Sequence, residues 1–354
     1  MNTQSFFANN RILIVAGKGG VGKTTVVAGL AKTASNAGCS VLIVELEGKP
    51  GLLTAFGSTG NLGYHETGLY PLDRVNNAND ETLYESSSDR RSSKFRTEKS
   101  TIADKGTASI RGRRLTPDDA LVEYLEEHGL RRVSRKLVSS GVVEVVSTAI
   151  PGIRDVLVLG KIKQLEKDRA VDLIIVDAPA TGHAVTFLTS PSGLLNAARG
   201  GPLRTQAREV VALLQDSTKC RVVLVTLPED MPVSETIEAA NQLKERVGVS
   251  LAPIVINGYD SCDPALKTET LHAARSAGVD IEGGQLRVLE EARKFKLHRC
   301  ALQDAQVKRL ERELPLDQLF IPKLSVSTIG PSELETIADA LAKSIEGLNL
   351  GSSE

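Results

Sequence analysis

Tryptophan is absent from the 354 residues, aromatic residues make up 3%, and only two methionines occur, Met1 and Met231. Few rings are therefore available to stack on nucleic-acid bases, and a soft methionine-lined groove has little to be built from. An excess of one charge is missing too: 43 Lys and Arg stand against 44 Asp and Glu, a formal net charge of -1. A chain so balanced has no global pull towards polyanions, and no nucleic acid is expected as a partner. No apolar run approaches the ~18 residues of a membrane span, so no stable membrane insertion is expected. The first ten residues carry no cationic segment ahead of a long apolar one, which argues against a signal peptide. Four cysteines, Cys39, Cys220, Cys262 and Cys300, include no Cys-x-x-Cys pair. That spacing fits neither a disulfide framework nor a four-ligand zinc site, and reduced thiols in a cytoplasmic setting are expected.

What is present is a repeated alternation of short apolar strands and helical patterns. Arg11–Ala16 is rich in β-branched residues and reads as a strand buried on both faces. Thr24–Asn36 has helical character, Gly38 closes it, and Val41–Val44 is the next strand. Further strands are predicted at Leu173–Val176, Arg221–Thr226 and Pro253–Ile256. This is the pattern of an α/β fold with a mostly parallel sheet and helices on both faces.

The connection over 57–170 is long and reads as a helical insertion. Its middle, 76–114, is polar and irregular, and from Lys94 to Arg114 seven basic residues face two acidic ones. It is expected to be a mobile loop, with a docking arm for an acidic partner as the alternative. Thr116-Pro117-Asp118-Asp119 then reads as a helix start. Helical patterns run on to about Asp168, broken at Pro151-Gly152, and a second helical segment covers 261–315 with a long helix at Gln285–Leu314. Together they are expected to form an appended helical subdomain. A last helix, Glu333–Leu348, places Leu334, Ile337, Leu341 and Ile345 on one face, which marks it as a core helix.

Residues 17–24 match G-x-x-x-x-G-K-[ST] between a strand and a helix, the setting a phosphate-binding loop requires. Gly19, Gly20 and Gly22 let backbone amides turn inward around phosphate oxygens without a side chain in the way. Lys23 is expected to reach the outer phosphates of ATP, and Thr24 to offer its hydroxyl to Mg²⁺. Gly17, Lys18, Val21 and Thr25 complete the ATP-binding stretch. Asp177, at the carboxyl end of a parallel strand, is placed to hold the magnesium shell with Thr24. Two carboxylates, Glu45 and Glu47, follow the second strand.

The second loop lysine, Lys18, makes the segment resemble the deviant phosphate loop of the dimerising ATPases that include partition and septum-positioning proteins, the nitrogenase iron protein and arsenite-pump ATPases. Asp177-Ala-Pro-Ala-Thr-Gly-His183 closely resembles switch II of the arsenite-pump and tail-anchored-protein-targeting ATPases. Pro151-Gly152-Ile153-Arg154-Asp155 and Leu227-Pro228-Glu229 with Glu235-Thr236 extend the resemblance, which spans roughly 11–57 and 116–345. It implies a P-loop ATPase in which Lys18 crosses a dimer interface to the partner's nucleotide. It also implies that Glu47, with Glu45 as the fallback, orients the attacking water where the family has Asp, and that Asn257 and Pro322 frame the adenine; His183 is expected to make a switch-loop hydrogen bond and not to act as the base. The expected partners are a second copy or a paralogous ATPase, and a client protein whose identity stays open. Bound ATP would order the switch loops and reposition the helical subdomain. Two alternatives stay open: a positioning ATPase acting on nucleic acid or membrane, and a nucleotide-gated scaffold with little turnover.

Overall fold

The computed structural model describes residues 2–48, 51–71, 108–127 and 152–348. Strand β1 (Ile12–Gly17) is six consecutive buried residues. A strand with no polar alternation belongs inside a parallel sheet covered on both faces. It lies between β5 (Leu173–Ala180) and β6 (Cys220–Thr226), parallel to both. Successive side chains point to opposite faces. Ile12, Ile14 and Ala16 enter one core, while Leu13 and Val15 enter the other.

The other strands are β2 (Val41–Glu45), β3 (Thr67–Tyr70), β4 (Ile110–Arg114), β7 (Ser250–Leu251), β8 (Ile254–Tyr259) and β9 (Gln318–Pro322). Among the described residues the sheet runs β3-β4-β2-β5-β1-β6-β8-β9, with β7 alongside β6. Among the described residues only the β3–β4 pairing is antiparallel. One face is covered by α4 (Pro117–Glu127), α5 (Ile153–Asp168), α6 (Thr181–Ala197), α7 (Pro202–Gln215) and α8 (Asp230–Arg246). The opposite face carries α1 (Thr3–Ala8), α2 (Lys23–Asn36), α3 (Gly51–Ala55) and α11 (Pro331–Gly347). Between β8 and β9 come a 3-10 turn (Pro264–Lys267), α9 (Thr270–Ser276) and the 31-residue α10 (Gly283–Glu313).

Helix α2 is held tightly from behind. Gly29 faces α11 so closely that a Cβ there would lie 2.5 Å from Ile337 Cγ2 and 3.1 Å from Leu341 Cδ1. One turn on, Lys32 is buried, pairs with Glu335 at 2.8 Å and sits 3.6 Å over the Tyr70 ring. A buried ammonium needs such partners, because desolvation without them is costly.

The mostly parallel sheet with helices on both faces is the expected architecture, and the five strands read from the sequence lie within about a residue of their places at the start, some running longer at the end. One expectation is corrected. Residues 110–114, assigned to the polar mobile stretch 76–114, form β4. Its charge concealed it: Arg111 pairs with Glu66 at 2.7 Å, and Arg113 is buried with its guanidinium 4.6 Å from the Tyr64 ring. Gly112 meanwhile lets Leu69 and Leu62 pack onto the strand. The rest of that stretch, 76–107, and the helical patterns over 128–151 with Pro151 lie outside the described residues, as do Lys49 and Pro50. No helix among the described residues is long and apolar enough to cross a membrane.

Candidate nucleotide-binding site

Because β1, β2, β5, β8 and β9 run in one direction, their carboxyl ends share one edge of the sheet, where ligands of open α/β sheets bind. The predicted residues of the phosphate loop gather there. Gly17 ends β1 against β6, and a side chain at this point would meet the Val225 carbonyl oxygen at 2.4 Å, so only glycine fits. The chain then turns through Lys18, Gly19, Gly20 and Val21, with Gly19 and Gly20 exposed and Val21 buried. Gly22 has φ +85° and serves as the N-cap of α2 without any side-chain capping bond. The first amides of α2 therefore point into the loop without a side-chain cap, and with the helix dipole they suit a phosphate.

Lys23, Thr24 and Thr25 form the first turn of α2. Lys23 is buried and its ammonium donates to the Lys18 carbonyl at 3.2 Å, folding back over the loop. Thr24 Oγ1 donates to Asp177 Oδ2 at 2.7 Å. This joins the helix after β1 to buried Asp177 on β5, in register beside Val15. A hydroxyl and a carboxylate brought together by rigid elements are hard oxygen donors of the kind Mg²⁺ takes alongside substrate phosphates. The residues present fit that ion.

The two candidate carboxylates on β2 separate clearly. Glu45 is buried and stands in register with Asp177 on one side and Arg114 on the other. Glu47 is exposed in the turn that follows. Gly48, with φ +68°, lies so close to Arg114 that a Cβ there would sit 2.6 Å from the guanidinium carbon. The end of β4 therefore props the turn that carries Glu47. Sequence reasoning missed Arg114, because its charge placed it in the polar stretch.

Asn257 and Pro322, the predicted adenine-framing pair, lie on neighbouring β8 and β9 at the same edge. The Asn257 amide reaches the phosphate loop directly: Nδ2 donates to the Val21 carbonyl at 2.8 Å and would meet a Cβ on Gly22 at 2.3 Å. Pro322 is exposed and pairs in register with Tyr259. The end of β8 is in turn tied to α10. Tyr259 donates to Asp304 at 2.7 Å, Asp260 accepts a salt bridge from Lys296, and the Asp260 amide donates to Gln303 at 3.1 Å. Burial, and then the Asp304 carboxylate, push the Tyr259 hydroxyl up to about 12.

Switch II occupies the end of β5 and the first turn of α6, where His183 is exposed. Its helix is pinned to α5 by Ser190, whose hydroxyl donates to Asp155 at 2.5 Å and packs against Gly152. Lys18 does not point into open space. Its ammonium forms a salt bridge of 2.5 Å with Glu235 on α8. Glu235 belongs to the Glu-Thr segment noted in the sequence, although nothing in that spacing tied it to Lys18.

A strand, a glycine-rich loop, a helix N-terminus with Lys and Thr, and a carboxylate at the next strand end define a P-loop nucleotide-binding ATPase. Residues 12–287 match the CobQ/CobB/MinD/ParA nucleotide binding domain, and the chain belongs to that family, among its arsenite-pump and GET3-like ATPases. It is similar to ATPase BagA of Mycobacterium tuberculosis, 30% identical over 335 residues that cover 90% of this chain and 88% of the relative. A putative arsenical pump-driving ATPase of Halobacterium salinarum is 25% identical over 257 residues, 70% of this chain and 35% of that protein. ATPase get3 of Schizosaccharomyces japonicus is 27% identical over 202 residues, 55% of this chain and 50% of that protein. The chain is an ATP hydrolase.

Proposed function

We propose that this protein is a magnesium-dependent ATPase that works as a dimer and converts ATP hydrolysis into movement of its helical regions, the 57–170 connection and the 261–315 segment. The Thr24–Asp177 hydrogen bond carries this reading, because it brings a magnesium-type donor pair to the mouth of the phosphate loop. ATP lies on the amides of Gly17–Thr25 with Lys23 on its outer phosphates, and Asn257 and Pro322 flank the base. Thr24 and Asp177 would hold the ion, whose charge would screen that of the triphosphate. Lys18 serves the nucleotide of the other subunit, a second copy or a paralogous ATPase, where a cation offsets charge that develops during transfer. Glu47 orients water, with Glu45 as the alternative.

The coupling outward is supported by contacts of this chain. Asp177 leads into α6, which Ser190 links to α5, and Asn257 lies on β8, whose end is tied to α10. Ordering of the loops by ATP then bears on both helical regions, where a client protein docks. The setting is cytoplasmic. The exposed position of Glu47 favours a second reading, a nucleotide-gated scaffold that turns over slowly, since a base misplaced by about 1 Å costs ~100-fold.

Phosphate release by the purified chain tests the first reading. Lys23→Ala and Lys18→Ala each abolish turnover on this account, and undiminished turnover in both ends it. Single-turnover measurements, alone and with candidate partners, separate it from the scaffold.

A further inference from the structure

The ammonium assigned to another subunit's nucleotide is already engaged within its own chain. Lys18 Nζ and Glu235 Oε1 are 2.5 Å apart, with side chains 38% and 33% exposed. We infer that Glu235 is a positioning residue that parks Lys18 in cis, and that release of this pair sets how readily two chains close around ATP. The inference rests on the proposed role of Lys18 across a dimer.

Three features make the pair a latch that opens. First, its exposure keeps it weak: an ion pair reached by water holds its partners by a factor of roughly two to five. Second, the two ends are anchored independently of it. The Lys18 carbonyl accepts the Lys23 ammonium, so the lysine side chain is free to swing without the loop coming apart. On the other side, α8 is fixed by buried Val233, Thr236, Ala239 and Leu243, so Glu235 is presented by a rigid rod. Third, there is room to move. A Cβ on Gly20 would meet nothing within 4 Å, and one on Gly19 would meet only the Ala180 methyl at 4.0 Å. Glu235 also lines a groove of ≈ 350 Å³ between α6 and α8 with Gly182, Thr186, Glu238 and Arg246, so the parked pair borders the switch II helix.

Two readouts test the latch. In the monomer without nucleotide, acetylation of Lys18 by an amine-reactive ester, followed by mass spectrometry, is expected to be about two- to five-fold faster in Glu235→Gln than in the wild type. With magnesium and a non-hydrolysable ATP analogue, the dimer dissociation constant from sedimentation is expected to fall roughly 4- to 25-fold, because two latches open per dimer. That difference shrinks between 50 and 500 mM salt, where exposed pairs are screened, a response that a packing defect would not give. Glu235→Asp, which keeps the charge but shortens the reach, should lie between the two.

Unchanged acetylation overturns the latch. So does a wild type that dimerises with the analogue while Glu235→Gln does so no more tightly, or a Glu235→Gln chain that loses turnover at saturating ATP as Lys18→Ala does. If the wild type shows no nucleotide-driven dimer, the reading of Lys18 across two chains fails and the gating role falls with it. Faster acetylation would then establish only the contact.

Discussion

Thr24 and Asp177 lie 153 residues apart in the chain, yet the threonine hydroxyl donates to the aspartate at 2.7 Å. Neither could do so alone. Thr24 is fixed by the first turn of α2, and Asp177 by the register of β5 against β1. The hydrogen bond therefore reports that two separate strand–helix units have met in the right phase.

Asp177→Asn should leave the fold intact, since an amide fills the same space, while turnover drops by at least about 100-fold, the scale seen when one charge-stabilising group is removed. Thr24→Ala should act in the same direction. Calorimetry in the presence and absence of magnesium checks the assignment: both variants should bind ATP with a reduced dependence on the ion.

Gly22→Ala is expected to damage the loop through its backbone. The residue sits at φ +85°, and the new methyl would meet Asn257 Nδ2 at 2.3 Å, breaking its bond to the Val21 carbonyl. A loss of about 1–3 kcal/mol in stability follows from strain of this kind, together with loss of ATP binding. Asn257→Ala leaves the backbone alone, and should weaken ATP binding with a smaller change in denaturation midpoint.

Gly48→Ala should drive the guanidinium of Arg114 out of its place, because the gap is already filled at 2.6 Å. On the proposed role of Glu47, turnover falls about 10-fold or more while ATP affinity holds. Arg114→Ala should produce a milder form of the same split, read as a change in kcat at nearly constant KM.

Asp155 provides a test of pH dependence. Burial, the largest influence, raises its carboxyl above the usual range, against smaller opposing effects of Ser190 and Arg154. A raised folded value means that the folded chain holds its proton more tightly than the unfolded one. This group's contribution to stability is therefore fully present at low pH and is lost as pH rises from its ordinary value of ~4 through the raised one. Asp155→Asn should remove that loss and raise the melting temperature at pH 7 by about 1–3 °C. The gain should vanish near pH 3.

The core of the fold could be read from the chain because its signals are local. Six buried positions in β1 and a glycine-rich turn before a helix leave few alternatives. The same holds for Lys23, Thr24 and Asp177, whose places follow from a motif and a strand end. Strand β4 could not be read, since Arg111, Arg113 and Arg114 look solvated until Glu66, Tyr64 and Gly48 supply their partners. The same limit hid the Lys18–Glu235 pair, which spans 217 residues and exists only once α8 has docked on the sheet. Pairings at such separations are fixed by topology, and no window of sequence contains both halves.

Behind the helix that opens from the phosphate loop stands α11, drawn from the far end of the sequence and seated where Gly29 has no side chain. The loop's rigidity is thus borrowed from a segment more than 300 residues downstream. A bulky substitution at Ile337, a truncation before residue 331 or a ligand wedged beside Lys32 and Glu335 would each be felt as slackness in the grip on the triphosphate. The rear of the molecule is a place from which its chemistry can be tuned without touching a single residue that meets the nucleotide.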